Sequence, residues 1–200
     1  LSPNILTSGQ SWVGSTLSST DFARKACIQR LVSLPSELKV GISPDSERGR
    51  LLLEKLREAR KRALGGTLHP AIRECFGKTG QVVADFLEKA DAAFSRNLAQ
   101  LFVCPEEKMR AQSGEGFSAI AYHEDKPNVC NFQVYVAVPW RRRNDASIVD
   151  QLLCEAYVHE IAEHYLGAPH RCATLFELCV LPETLKGESV SNFKRLPRRV

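Results

Sequence analysis

The sequence predicts an α+β domain with a mainly helical N-terminal half, a small sheet, and one long helix behind it. Three patterns carry this reading. Apolar residues recur at helical spacing over residues 46–66 and 81–102, a period of two takes over at Phe132, Val134, Val136 and Val138, and a helical run resumes after Asp145. With 200 residues, 44% hydrophobic and 25% charged, the chain has the make-up of one globular domain with a real core.

Taken in order, residues 1–20 are rich in Ser, Thr and Gly and lack periodicity, so they are expected to be a flexible leader, with a single domain over residues 21–200. Asp21 can cap a short helix reaching Leu31. Ser46 opens a stronger one that presents Leu52, Leu56 and Ala59 on one face and ends in basic residues followed by Gly65 and Gly66, as the helix dipole and a left-handed cap favour. A third helix is expected from about Gln81 to Phe102, on Val82, Phe86, Leu87, Ala90, Phe94, Leu98 and Leu101. The segments FSAIAY and NFQVYVAVP read as two strands. Asn144 or Asp145 then caps a long helix running to Leu166, stopped by Gly167 and Pro169.

Composition also excludes several functions. No stretch approaches the roughly 20 apolar residues of a membrane span. The net charge of +4 is mild, and its basic clusters (Arg57 to Arg62, Arg141 to Arg143, Lys194 to Arg199) lack the interleaved aromatics of a nucleic-acid surface. A monomer that contacts neither membrane nor nucleic acid is expected. Seven scattered cysteines without a CxxC pair fit reduced thiols in a reducing, cytoplasmic compartment.

The chemistry is concentrated in HEIAEHYLGAPH, His159 to His170, which holds three of the five histidines. On the long helix Ile148, Val149, Leu152, Leu153 and Ala156 form one face, and its continuation is His159, Glu160 and Glu163. Val158, Ile161, Ala162 and Tyr165 make the other side apolar too. Ionisable groups drawn into a covered helix must neutralise, pair or bind a metal. Zinc is the expected cofactor. Ligands at i and i+4 with Glu at i+1 place two donors on one side of a metal and a carboxylate beside its water, giving His159 and Glu163 as ligands, Glu160 as general base, and His170, beyond the break at Gly167, as third ligand. The usual motif is HExxH, whereas this one is HExxE. In the alternative register His164 replaces Glu163 as HExxxH, which needs a π-bulge because residues five apart diverge on an ideal helix.

In this segment the chain resembles the NleC-type secreted zinc metalloproteases, whose motif has the form HEIIHHxTGSSD: His159, Glu160, Ile161, His164 and Gly167 match without a gap. The preceding strand FQVYVAVP and, more loosely, Glu177, Leu178, Pro182 and Glu183 extend the likeness to about 60 residues. Glu163 stands at the family's second histidine and His170 at its aspartate ligand, so the donor inventory is kept in swapped order. No tyrosine follows Tyr165, where the family carries a catalytic one.

The resemblance implies a zincin-like domain and a zinc-dependent endopeptidase acting on a protein substrate, a virulence effector secreted into a host cell. It also implies that the strand with Val134, Val136 and Val138 borders the cleft and takes an extended substrate by main-chain bonds; on charge alone, the basic turn Arg141 to Arg143 is then expected to flank the entrance and favour acidic segments. Competing readings are a surface helix with His159–Glu163 and Glu160–His164 ion pairs, a degenerate protease that only binds a partner, a Cys154 or Cys172 nucleophile, and a structural site from Cys172, His170 and His164. His69 and His123 read as ordinary surface histidines.

Overall fold

In the computed structural model residues 19–67, 72–73, 76, 80–110, 119–123, 132–139, 141 and 144–180 are described. Ser46, extended at φ −68° and ψ 160°, accepts the Gly49 amide on its hydroxyl and starts α2 (Glu47–Leu64), which Gly65 and the left-handed Gly66 (φ 76°) terminate as expected. Before it lie α1 (Ser19–Val32) and a three-residue strand, β1 (Val40–Ile42), too short to register as a period. The expected leader falls outside the described residues up to position 18; Ser19 and Thr20 open α1.

The third helix is shorter than its apolar pattern suggests. α3 spans Gln81–Ser95, because Asn97 turns left-handed (φ 54°) and the Leu98 amide closes back on the Ala93 carbonyl at 2.8 Å. The chain continues as a strand, β2 (Ala99–Pro105), so Leu101 belongs to a sheet and not to the helix. The buried stripe of α3 is Val83, Leu87, Ala90 and Phe94, while Val82 and Leu98 are exposed. A 3-10 turn (Glu106–Met109) comes next, then β3 (Ala119–His123) and β4 (Phe132–Val138). The long helix is α4 (Ala146–Glu160), continued by a π-helical turn over Ile161–Tyr165, and α5 (His170–Val180) completes the described chain. No helix is expected from the sequence beyond Pro169, and the eleven residues of α5 are an addition made by the structure.

The sheet order is β1-β2-β4-β3, with β2 and β4 parallel and the other pairs antiparallel. Period two decides which side chains go where. Leu101, Val103, Ala121, Phe132, Val134, Val136 and Val138 face α2 to α5 and form the main core. Phe102, Cys104, Ile120, Tyr135 and Ala137 face the other way, onto Cys27 and Leu31 of α1. Burying both faces explains why β4 is buried at nearly every position.

Between the helices, Phe76, Phe86 and Phe176 meet edge to face at 5.1–5.5 Å, and the buried Tyr157 donates its hydroxyl to the Ala90 carbonyl at 2.7 Å, tying α4 to α3. The thiols of Cys104, Cys154 and Cys179 are pushed up to about 12, chiefly by burial. No described helix is long and apolar enough to cross a membrane.

Close backbone approach makes one glycine a sensitive test of the α2–α3 contact. A Cβ at Gly80 would lie 1.8 Å from the Ala63 carbonyl oxygen, so the start of α3 would have to move off the end of α2. Gly80→Ala should therefore cost about 1–3 kcal/mol in urea unfolding, the usual range for overpacking; an unchanged midpoint would contradict this packing.

Candidate metal centre

Where α4 ends, its core-facing stripe turns from Val149, Leu153 and Tyr157 to ionisable groups. Glu160 is only 5% exposed, and the floor beside it is β-sheet (Ala119 and Val136). The result is a cleft of about 380 Å³ whose polar lining comes from Arg24, Glu155, His159, Glu160, Glu163, His164, His170 and Glu177.

The π-turn and the glycine after it shape the site. The Leu166 amide reaches the Ile161 carbonyl at 2.9 Å, five residues back, and the Ala168 amide reaches Ala162 at 2.8 Å across the left-handed Gly167 (φ 74°). The chain thereby reverses, and α5 carries His170 and Glu177 back over α4.

Three of the expected donors converge. One nitrogen each of His159 and His170 and one oxygen of Glu163 lie within 4.8 Å of one another, the one metal-competent group among the described residues. His159 Nε2–H donates to Glu163 Oε2 at 3.1 Å and His170 Nδ1–H donates to the same oxygen at 2.7 Å. Two ligands at tetrahedral angle around zinc stand roughly 3.4 Å apart, so a cation could replace the two shared protons with little movement. Glu177 adds what the motif did not specify. Its Oε1 accepts from His159 Nδ1–H at 2.8 Å, a carboxylate behind the imidazole that leaves Nε2 pointing into the cleft. Its only sequence signal was the looser part of the family likeness.

The electrostatics arise from this crowding. Burial pulls the His159 imidazole down, but the Glu177 hydrogen bond and charge, with Glu160 and Glu163, outweigh it and raise its pKa. Burial raises Glu163, yet the His170 hydrogen bond and the three histidines together bring it below its ordinary value. Glu160 is raised by burial, against the opposing charges of Arg24 and His159 and an Ala121 amide hydrogen bond. Its Oε2 is buried without any hydrogen-bond partner.

His164 lies beside the three converging donors, its Nε2 3.9 Å from Glu163 Oε2. Despite the π-turn, His164 stays out of the converging set: its Nε2 accepts from Arg24 Nη2 at 3.1 Å and lies 3.6 Å from Glu160 Oε2, and burial and the Arg24 charge lower its pKa. The pairs expected of a surface helix, His159–Glu163 and Glu160–His164, both occur, but around a half-buried cleft. Cys154 is buried with a raised pKa, unsuited to a nucleophile, and Cys172, also buried, is not among the converging donors.

Two expectations are corrected. β4 is bonded on both edges over Phe132–Val136, to β2 and to β3, so Val134 and Val136 cannot receive a substrate strand; with Val138, bonded to β2, they are buried core, and Val136 is cleft floor. The free sheet edge beside the cleft, among the described residues, belongs to β3. Arg141 lines a separate hollow with Glu106, Glu107 and Arg110 and is not among the residues lining the cleft, whose walls carry four carboxylates. Arg142, Arg143, His69, Pro182, Glu183, the cluster Lys194 to Arg199 and the His123 side chain lie outside the described residues.

The raised pKa of Glu160 gives a stability signature. Protonation of a carboxyl with a raised folded-state pKa stabilises fully below its unfolded value, about 4.3, and that gain is lost as pH climbs through the raised value, so the ionised group is a burden at pH 7. In metal-free protein Glu160→Gln should therefore melt higher than wild type at pH 7, by about 2–4 °C for each kcal/mol relieved, and show no gain near pH 4; a lower melting point at pH 7 would contradict this assignment. Comparison with family models, curated proteins and solved structures found no match, so what the cleft does must be read from its own geometry.

Proposed function

We propose that the protein is a zinc-dependent hydrolase that cleaves peptide bonds in a protein substrate, holding one zinc ion on His159, Glu163 and His170. The observation that carries this reading is the convergence of those three donors with Glu177 fixed behind His159. The donor set is chemically apt, two imidazoles and a carboxylate, and the unpartnered Glu160 oxygen in the same cleft suits a group awaiting a substrate or water. Zinc there supplies a Lewis acid that polarises a carbonyl and acidifies a water.

This chain's own groups supply the rest. Glu160 takes a proton from the attacking water as the water oxygen bonds to the carbonyl carbon, and returns it to the nitrogen as the C–N bond breaks. Its raised pKa suits both halves of that task. The free edge of β3 offers an extended peptide main-chain hydrogen bonds beside the base. One observation favours a second reading, a degenerate protease that only binds its partner: Arg24 already lies 3.8 Å from Glu160.

Titration calorimetry with zinc tests the metal. Wild type should take up about one ion per chain, His159→Ala and Glu163→Ala should lose it, Glu177→Gln should weaken it about 10–100-fold, and Glu160→Gln and His164→Ala should keep it. Absence of zinc binding by wild type would end the proposal. Digestion of a peptide library by the zinc-loaded protein, read by mass spectrometry, then separates the two readings. Cleavage that disappears in Glu160→Gln supports the hydrolase, and zinc binding without cleavage supports the binding protein.

A further inference from the structure

Arg24 is the one arginine lining the cleft, and it does not belong to the helix layer that builds it. Its helix, α1, packs on the opposite face of the sheet, where Cys27 and Leu31 are buried against Cys104, Met109, Ile120 and Tyr135. From there the Arg24 side chain reaches around the open edge of β3. Its Nη2 donates to the Ala121 carbonyl at 3.4 Å and to His164 Nε2 at 3.1 Å, and lies 3.8 Å from Glu160 Oε2. The Ala121 amide meets the Glu160 carboxyl, so both peptide groups of Ala121 are engaged on the side away from β4.

Those acceptors define a particular place. A carboxylate that must hand a proton to a leaving nitrogen, next to an outward strand carbonyl able to receive an N–H, is where the scissile amide of a bound peptide has to sit. One nitrogen of the chain's own guanidinium already sits there. Two nitrogens cannot occupy one place, and the Arg24 Nη2 stands 3.1–3.8 Å from all three of these groups, so a substrate nitrogen there and Arg24 exclude one another.

We infer that Arg24 is an internal latch: it occupies the leaving-group position of the cleft in the free protein, and a substrate gains the base and the β3 edge only when α1 gives Arg24 up. This inference rests on the zinc-hydrolase reading and adds its regulation. The latch opens when the side chain is displaced from these acceptors. An occupant present nine-tenths of the time would weaken any competing ligand about tenfold, because apparent affinity scales with the open fraction.

The test uses the full chain loaded with zinc and acetohydroxamic acid as probe, a small chelator whose N–H and O–H are donors for the Ala121 carbonyl and Glu160. Calorimetry should show the probe binding about tenfold more tightly to Arg24→Gln than to wild type, with zinc stoichiometry the same in both; Arg24→Lys, with a shorter reach and no fork, should fall between them. Equal or weaker probe binding in both variants overturns the latch and makes Arg24 a group that assists ligand binding. A wild type that takes up no zinc fails at the earlier titration, so loss of the metal reading is told apart from loss of the latch.

Discussion

A carboxylate held almost out of water is the constraint around which this molecule is arranged. Glu160 sits where the apolar stripe of α4 would otherwise continue, 5% exposed and with one oxygen lacking a hydrogen bond. Desolvating a charged carboxylate costs several kcal/mol unless other groups offset it. The surroundings are what such a group requires: an imidazole to either side, a strand amide from Ala121, and a guanidinium brought from a different layer of the fold. A buried carboxylate with a shifted pKa among other ionisable groups in a cleft marks a candidate functional site.

The neighbouring groups share one electrostatic logic. Glu177 and Glu163 hold His159 between two carboxylates, so in the metal-free protein protons bridge what a divalent cation could bridge instead. Burial raises Glu163 but the His170 hydrogen bond and the neighbouring imidazoles bring it below its ordinary value, while burial and the Arg24 charge lower His164. Two adjacent residues are thereby divided between two tasks, one facing the converging donors and the other facing the sheet edge.

The sheet makes this possible by being covered on both sides. α2 to α5 cover one face, where α4, its π-turn and α5 build the cleft, while α1 seals the other and sends Arg24 across the exposed border of β3. A strand placed inside the sheet supplies a rigid floor, and β4, the best strand in the sequence, has no open edge over Phe132–Val136. Among the described strands bordering the cleft, the open edge belongs to the shorter and less conspicuous β3.

The features legible in the chain alone are local ones. The caps of α2, the period of β4, the stop at Gly167, and the four-residue spacing that puts His159 and Glu163 on one side of a helix all derive from short-range geometry, and each stands in the structure. The helical likeness of residues 96–102 misled for a local reason as well: apolar spacing continued past the point where Asn97 turned left-handed. Everything else depended on packing between layers. Glu177 backs His159 from 18 residues away, His170 returns to Glu163, and Arg24 meets His164 across 140 positions. Side chains so far apart in the chain meet because burial of apolar faces brings their elements together, and no periodicity within any one segment records that meeting.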